Sequence, residues 1–238
     1  MFVSIDADTP DLRKKSYRLR YQVYCLEKGY ENPRNFPDGL EIDSFDSHSM
    51  HTLLEHSPSG HGVGTVRLVL PIAERPEWSF PLQMVCAQSG ISTAKWFPVH
   101  ETAEISRFCI SKQIRTDRSI CSEDKTCGAG QAALDMILGL MEGIVRRSAE
   151  AGITYVCAAM EPSLLRLLSR LSIYFRPFGP LLDFHGKRQP CWQNLLDLLD
   201  RVYREQKEIW KRLTADGLHW DVLVNCRDAR QRRFITAS

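Results

Sequence analysis

The sequence predicts an α/β protein in which helices flank a mixed central sheet. Two observations support this prediction. The first part of the chain alternates apolar and polar residues, as antiparallel strands do, and the later part alternates apolar strand-like runs with helical periodicity. A chain of 238 residues with 43% hydrophobic and 25% charged residues is also long enough to bury a substantial core. The expected order is one helix, a run of antiparallel strands, and then β-α-β-α-β.

The first predicted helix has clear signals at both ends. Thr9 is placed to cap it, Pro10 suits its first position, and Gly29 is placed to end it. The apolar residues that recur at helical spacing and predict the buried stripe are Leu12, Leu19, Val23 and Leu26. Residues 51–56 and 62–72 then flank the turn-rich "SPSGHG", which predicts two antiparallel strands.

Two strands carry charged residues among apolar ones. Arg67 shares a strand face with Val63 and Thr65, and a charge on such a face needs a partner. The next strand, "ETAEISRFCIS", contains Glu104 and Arg107. These two residues are three apart and point to opposite faces of a regular strand. Both can therefore serve one cleft only if the strand is bulged or if the two residues act on different layers.

The rest of the chain predicts the β-α-β-α-β half. A long helix follows the Gly-rich "CGAG", a strand follows at "ITYVCAAM", Pro162 begins a helix, and a short strand lies near "IYFRPFG". Residues 192–213 have helical spacing, with the apolar side formed by Leu195, Leu196, Leu199 and Val202. We expect a catalytic domain over residues 1–205, and a helical extension with a basic tail over residues 206–238.

Composition excludes several classes. We expect no signal peptide, because the N-terminal "MFVSIDADTPDLRKK" has no apolar stretch behind its charges. We expect no integral membrane segment, because the most apolar later run is interrupted by Asp135 and Glu142. Eight cysteines without a C-x-x-C pair argue against a zinc ribbon or a disulfide scaffold and favour a reducing, cytoplasmic compartment. The net charge of +2 is too small to indicate nucleic-acid binding, and the basic run at residues 227–233 is interpreted as a solvated tail.

The stretch "EIDSFD" concentrates negative charge that must be balanced. Its carboxylates would raise one another's pKa values unless cations lie beside them, and an arginine fork pairs well with a carboxylate while staying charged when buried. We therefore predict an ion network formed by Arg20, Glu41, Asp43, Asp46, Arg67 and Arg107. Such a network can take part in chemistry, or it can simply hold the first helix and its loop to the sheet.

Four motifs in order resemble a known family. They are an arginine followed by an aromatic residue at Arg20 and Tyr24, "E-x-D-x-x-D" from Glu41, "G-x-x-R" from Gly64, and "E-x-S-R-F" from Glu104. This order resembles the LuxI-type acyl-homoserine-lactone synthases, which, with the N-acyl amino acid synthases, are similar in fold to GNAT N-acyltransferases. The segment "LLDFHGKRQPCWQNLL" is most similar to the acyltransferase subfamily associated with PEP-CTERM/exosortase systems.

The resemblance implies roles for individual residues. Glu104 matches the candidate general base that accepts the proton of the attacking amine, and Arg67 and Arg107 are expected beside it in the catalytic group. Backbone N–H groups near Phe108 to Ile110 would stabilise the oxyanion. The residues expected to bind substrate are Arg20, Tyr24, Tyr30, Glu41, Asp43, Asp46, Phe80, Phe108 and Ile110.

The donor side is expected at a Gly-rich loop before the long helix. "KTCGAG" resembles a loose GNAT phosphate loop, in which Lys125, Gly128 and Gly130 would let backbone N–H groups approach a phosphate. The donor would be acyl-CoA or an acyl carrier protein, with no permanently bound cofactor and no metal. Basic residues of the preceding insertion that could meet an acidic carrier protein are Lys112, Arg115, Arg118 and Lys125.

The resulting expectation is an N-acyltransferase that moves a fatty acyl group from a thioester carrier to the amine of an amino acid or related small molecule. Two alternatives remain open at this point. One is a noncatalytic acyl-binding or regulatory module with the same fold. The other is a metal-dependent hydrolase that uses the acidic stretch and the nearby His48, His51, His56 and His61.

Overall fold

A computed structural model describes residues 1–93, 95–112 and 129–236. The strands in these residues are β1 Phe2–Asp6, β2 Ser49–His56, β3 His61–Val69, β4 Thr102–Ile110, β5 Tyr155–Met160, β6 Arg176–Pro177, β7 Leu182–Asp183 and β8 Lys187–Asn194. The α-helices are α1 Pro10–Arg20, α2 Pro81–Gln88, α3 Ala129–Glu150, α4 Pro162–Ser169, α5 Leu195–Glu205, α6 Lys207–Thr214 and α7 Leu218–Thr236.

The strands form a mixed sheet flanked by helices, which confirms the predicted fold class. Their order is β1-β2-β3-β4-β5-β8-β6, and β7 pairs with β8. β1 and β2 are antiparallel, β4 and β5 are parallel, and β5 and β8 are antiparallel. The chain forms two compact units, one of residues 1–67 and 107–144 and the other of residues 68–106 and 145–238.

In the first unit, α1 packs against the antiparallel pair of β1 and β2. Thr9 caps the helix, accepting a hydrogen bond from the Leu12 N–H, and Pro10 is its first residue, as predicted. Leu19 packs with Ala7 and Leu53 in a buried cluster, and Leu12 lies partly buried against it. The apolar stripe of α1 therefore joins this helix to the sheet.

The predicted stripe does not extend to Leu26, whose surface is 56% exposed. The reason is a change of helix type, because a π-helix over Tyr21–Glu27 follows α1 directly. A π-helix has i→i+5 hydrogen bonds, so a spacing of three or four residues no longer returns to the same face. Gly29 then adopts a positive φ of 63° just after the helical segment ends, as its predicted role requires.

Gly143 on α3 lies where a side chain has no room. A Cβ at this position would overlap the Thr52 side chain, at 2.9 Å from its Oγ1, and would lie 3.0 Å from Ser4 Oγ. We expect Gly143→Ala to destabilise the protein by about 1–3 kcal/mol through overpacking, although alanine favours a helix. The measurement is urea unfolding.

The control variant for this prediction is Gly130→Ala in the same helix. No described atom lies within 4 Å of a Cβ built at Gly130. We expect this substitution to be neutral or to stabilise by up to about 1 kcal/mol. Equal stability of the Gly143→Ala variant and the wild type would contradict the close packing of α3 on the sheet.

In the second unit, β5 pairs along its full length with β8, from Tyr155↔Asn194 to Met160↔Gln189. Residues 192–194 belong to this strand, so their prediction as part of a helix is wrong. The helix α5 begins at Leu195, where the Asn194 side chain caps it, and it ends before Gln206, which separates it from α6. The predicted apolar face of this helix is buried.

The basic run at residues 227–233 lies within α7, so its interpretation as a solvated tail is wrong for at least one member. Arg230 donates to Glu101 Oε2 at 2.8 Å and to the Gly152 carbonyl oxygen. Thr154 Oγ1 donates to the same Glu101 oxygen at 3.0 Å. Arg230 therefore attaches the C-terminal helix to the second unit.

The cysteines among the described residues are free thiols. Five of them are buried, and Cys226 is half-buried. Burial raises the pKa of Cys25 and of Cys86 to about 11, so these thiols stay protonated at neutral pH. A separate finding is that none of the described helices has the length and apolar character needed to cross a membrane.

Candidate functional site

Arg20 is fully buried at the end of α1 and is shared between two carboxylates. Its Nε donates to Glu41 Oε2 at 2.5 Å. Its Nη1 and Nη2 donate to the two oxygens of Asp46 at 2.6 and 3.1 Å. This bidentate geometry uses the planar fork of the guanidinium, which a lysine would not reproduce.

Arg67 on β3 is also fully buried and contacts the same acidic segment. It donates to both oxygens of Asp43, at 2.5 and 3.0 Å, and to Asp46 Oδ1 at 2.8 Å. Asp46 is therefore paired with two guanidinium groups. The charge that the sequence placed on an apolar strand face is balanced within the first unit.

Arg107 is the third arginine of the network, and it lies on β4 where the strand is distorted. Its φ of 53° is left-handed, so the strand departs from regular geometry at this residue. Its side chain donates to Glu41 Oε1 at 2.8 Å and to Asp43 Oδ2 at 3.1 Å. Its guanidinium carbon lies 5.1 Å from the ring centroid of Tyr24, a cation–π distance.

The spacing of the acidic segment follows from its local fold. Asp43 caps a short 3₁₀ helix, Ser44–His48, and its Oδ1 accepts the Phe45 N–H at 2.9 Å. In the reciprocal contact, Asp46 Oδ2 accepts the Asp43 N–H at 2.8 Å. This capping box holds both aspartates in place while their remaining lone pairs accept from the arginines.

The arginines lower the pKa values of Glu41 and Asp46 by more than burial raises them. Burial alone would raise the pKa of Glu41, but hydrogen bonds from Arg107 and the charge of Arg20 hold that pKa at about 2. Burial would likewise raise the pKa of Asp46, yet Arg20 and Arg67 lower it below its ordinary value. Both carboxylates are ionised at neutral pH.

Two members of this cluster were not identified from the sequence. His51 is 1% exposed, its Nε2 lies 3.6 Å from Asp46 Oδ1, and its ring packs edge-on against Tyr17. Within the described residues neither ring nitrogen has a hydrogen-bond partner, and burial lowers the pKa of His51 to about 4. Glu31 Oε1 lies 3.6 Å from Arg107 Nη2. The position of Glu31, directly after the predicted substrate-binding Tyr30, was the sequence feature that could have identified it.

Aromatic residues lie beside the network in the same unit. Tyr24 and Tyr30 are half-buried, with ring centroids 6.1 Å apart. Burial raises the pKa of Tyr24 above its ordinary value, so its hydroxyl stays protonated. Phe108 and Ile110 on β4 are also half-buried, and this strand end is held where the Ser111 N–H donates to the Val63 carbonyl oxygen at 3.1 Å.

Close packing explains why the first residue of the "G-x-x-R" motif, Gly64, is a glycine. A Cβ at this residue would lie 3.0 Å from the Cys109 carbonyl oxygen and 3.2 Å from Ile110 Cγ1. These separations are tighter than ordinary van der Waals contacts. Glycine therefore lets β3 pass close to the C-terminal part of β4.

Glu104 belongs to the second unit and has a structural contact of its own. It is 4% exposed, and its Oε2 accepts the Leu82 N–H at 2.7 Å in the first turn of α2. A carboxylate at a helix N-terminus stabilises that helix. Phe80, the residue preceding α2, is fully buried. Glu104 thus supports α2 in addition to any role in chemistry.

The predicted phosphate loop falls mostly outside the described residues. Lys125 and Gly128 lie there, as do Arg115 and Arg118 of the basic insertion. Gly130 is exposed near the start of α3. Lys112 is exposed, and its backbone N–H donates to Glu27 Oε2 at 2.9 Å.

The described residues contain no group of three or more His, Cys, Asp or Glu side chains that could hold a metal ion. The four histidines near the acidic segment have different surroundings. His51 lies beside Asp46, His48 packs against Phe45, His56 contacts Ser59 Oγ at 3.0 Å, and His61 is exposed. The hydrolase alternative therefore gains no support from this part of the chain.

Comparison with known proteins agrees with the fold. Residues 19–122 match the acetyltransferase (GNAT) domain family. No curated protein sequence matches the chain significantly. The crystal structure of TofI in a ternary complex with an inhibitor and MTA is similar, with 18% identity and a TM-score of 0.61, over 85% of this chain and 96% of that one.

Two further solved structures are similar over most of the chain. One is the CoA-dependent acyl-homoserine lactone synthase BjaI with MTA, with 22% identity and a TM-score of 0.59, over 88% of this chain and 89% of that one. The other is FeeM, an N-acyl amino acid synthase from uncultured soil microbes, with 16% identity and a TM-score of 0.54, over 84% of this chain and 94% of that one. The chain therefore has the GNAT N-acyltransferase fold, and its residues 19–122 correspond to a GNAT acetyltransferase domain.

Proposed function

We propose that this protein is an N-acyltransferase that moves a fatty acyl group from a thioester carrier to the amine of an amino acid or related small molecule. The observation that carries the proposal is the network of three arginines and three carboxylates on a GNAT fold. Its residues are those of the four sequence motifs that resemble acyl-homoserine-lactone synthases. Similar folds occur in a CoA-dependent acyl-homoserine lactone synthase and an N-acyl amino acid synthase.

In this proposal the network prepares a rigid binding surface for the acceptor. Arg20 and Arg67 are fully buried, so they act through the carboxylates that they hold. Asp43 and Arg107 are partly exposed, with 27% and 11% of their side-chain surfaces accessible, and they can contact substrate directly. Tyr24 and Tyr30 supply apolar surface beside them. Catalysis gains when such groups are fixed before the substrate arrives.

Glu104 is proposed as the general base. It would accept a proton from the substrate ammonium, and the free nitrogen would then attack the thioester carbonyl carbon. The tetrahedral intermediate would place its negative charge near backbone N–H groups of residues 108–110. The carbon–sulfur bond then breaks, the nitrogen loses its second proton as the amide forms, and the departing thiolate takes up that proton. The tyrosine that often donates this proton in GNAT enzymes has no counterpart in "LLRLLSRLS" of α4.

The donor is proposed to be acyl-CoA or an acyl carrier protein, with an acyl carrier protein as the expected partner. Lys125, Gly128 and Gly130 remain the proposed phosphate contacts. We also propose a cytoplasmic protein with the acyltransferase domain in residues 1–205 and an extension in residues 206–238. The assignment to the PEP-CTERM/exosortase-associated subfamily stays a prediction based on residues 181–196.

Mass spectrometry of lipid extracts tests this function. Cells expressing the wild type or Glu104→Gln are compared with cells that carry an empty vector. We expect a new N-acylated amine with the wild type, reduced at least about a hundredfold in Glu104→Gln, because general-base catalysis contributes roughly 10²–10⁴-fold. The mass of the product identifies both the amine and the acyl length.

The glutamine variant separates the two roles of Glu104. Its side-chain carbonyl oxygen can still accept the Leu82 N–H, so α2 keeps its contact while the base is removed. Glu101→Gln, which alters a nearby carboxylate bound to Arg230 and Thr154, is the matched control and should retain the product. A product undiminished in a folded Glu104→Gln variant would exclude Glu104 as the base.

The noncatalytic alternative makes the opposite prediction in the same experiment. An acyl-binding module with this fold would keep the ion network, because that network also stabilises the first unit. It would yield no new N-acylated amine, even with acyl carrier protein and candidate amines supplied to the purified protein. Acyl binding without turnover under those conditions would favour the module.

A further inference from the structure

Glu27 ties the π-helix to the end of β4 within the first unit. Its Oε1 accepts a hydrogen bond from the Ser111 hydroxyl at 2.6 Å, and its Oε2 accepts the Lys112 N–H at 2.9 Å. A carboxylate that accepts two donors at such distances makes a stronger contact than a neutral acceptor does. The two oxygens of Glu27 therefore hold two consecutive residues of the chain that leaves β4.

The change of helix type after α1 explains how Glu27 reaches this strand. The Lys28 N–H donates to the Val23 carbonyl oxygen at 3.0 Å, which is an i→i+5 bond. Gln22 Nε2 donates to Glu27 Oε1 at 3.4 Å over the same spacing of five residues. In an α-helix Glu27 would instead share a face with Val23, four residues earlier, whose side chain is buried. The π-helix therefore aligns Glu27 with Gln22 on the side that meets Ser111.

The segment that Glu27 holds follows a distortion of the strand. The β4–β5 ladder covers Thr102–Glu104 of β4, so it lies ahead of Arg107, where φ is positive. Beyond the distortion, β3 holds the strand end, because the Ser111 N–H donates to the Val63 carbonyl oxygen at 3.1 Å. Glu27 holds the Ser111 side chain and the next N–H. These contacts lie directly after residues 108–110, which carry the proposed oxyanion N–H groups.

We propose that Glu27 is a positioning residue for acyl transfer, and this inference rests on the proposed function. Glu27 fixes the end of β4, so that the N–H groups of residues 108–110 keep the direction from which they donate to the oxyanion. Such donors lower the barrier because they are in place before the negative charge develops. A displacement of about 1 Å in a reacting group can cost about 100-fold in rate. In this role Glu27 takes up no proton and contacts no reacting atom.

Hydrogen–deuterium exchange of the purified protein tests the positioning without any substrate. Glu27→Ala removes both contacts to the strand end. We expect amide exchange of residues 108–112 to become at least about tenfold faster in this variant, because local opening no longer breaks these hydrogen bonds. Exchange of residues 136–144, in α3 of the same unit, should keep the wild-type rate.

The matched control for this measurement is Glu55→Ala. It removes a carboxylate of the same unit that pairs with Lys15 instead of with the strand end. Exchange of residues 108–112 should therefore stay at the wild-type rate in Glu55→Ala.

Steady-state kinetics separates positioning from general support of the fold. The substrates are the amine identified in the lipid extracts and the matching acyl group, supplied as its CoA and acyl carrier protein thioesters. We expect kcat to fall at least about tenfold in Glu27→Ala, with the KM for the amine within about twofold of the wild type. Glu27→Gln, whose side-chain oxygen can still accept one donor, should keep more of kcat than Glu27→Ala. Glu55→Ala should match the wild type in both constants.

Three results would overturn the proposal. They are equal exchange of residues 108–112 in Glu27→Ala and the wild type, faster exchange in α3 as well, which would mark a general loss of stability, and an unchanged kcat. Each of them leaves acyl transfer standing as long as the wild type yields the product. Absence of any N-acylated amine with the wild type would instead reject the proposed function, and the catalytic role of Glu27 with it, whatever the exchange rates.

Discussion

Replacing Arg20 with methionine is expected to reduce the free energy of unfolding by about 3–5 kcal/mol. Methionine fills a similar length but leaves Glu41 and both oxygens of Asp46 without their shared guanidinium. Because Glu41 and Asp46 are 1% and 5% exposed, water cannot replace the lost partner. Removing one partner of a buried charge pair costs more than the pair itself contributes, since the remaining charges stay desolvated.

Urea unfolding measures this loss, and Arg18→Met on the same helix is the control. Arg18 is exposed, so its replacement should change stability by less than about 0.5 kcal/mol. The double variant Arg20→Met/Glu41→Gln should lose less than the sum of its two single variants, because it removes a stranded charge. A loss for Arg20→Met no larger than that for Arg18→Met would show that the network does not stabilise the fold.

The sequence predicted six members of this network, but only their short-range arrangement has a local signal. The spacing of Asp43 and Asp46 reflects a capping box within four residues, and Thr9, Pro10 and Gly29 mark the ends of one helical segment. The pairing of each acid with a particular arginine is not local. Arg107 reaches Glu41 across 66 positions, so its choice of partner is set by the tertiary fold.

Other features were missed because a local rule was overridden. Pro190 lies inside β8, paired with Ala159, although proline lacks the N–H that a central strand would use. The π-helix after α1 breaks the 3.6-residue period that placed Leu26 in the stripe. The contact of Glu104 with the Leu82 N–H depends on α2, a helix of eight residues without a strong periodic signal. Each of these features depends on tertiary packing, so no local sequence pattern indicates it.

Acidification is expected to destabilise the protein in two stages, and the first is due to His51. Burial lowers the pKa of this imidazole from 6.5 to about 4, so in the folded protein it stays neutral while an unfolded chain takes up the proton. Stability is therefore fully present above about pH 6.5 and falls by about 3 kcal/mol as the pH approaches 4. The charged groups that act on the ring are Asp46, Arg20, Arg67 and Arg13.

The second stage belongs to the acidic side of the network. Hydrogen bonds from Arg107 and the charge of Arg20 overcome burial and lower the pKa of Glu41 to about 2, so its contribution is present above about pH 4.5 and is lost as the pH falls towards 2. Urea unfolding at successive pH values measures both stages. His51→Gln should remove the loss between pH 6.5 and 4, whereas His61→Gln, which changes an exposed histidine, should not. A flat profile for the wild type above pH 4.5 would contradict the lowered pKa of His51, and a gain in stability as the pH falls below about 6.5 would show instead that a charged His51 pairs with Asp46.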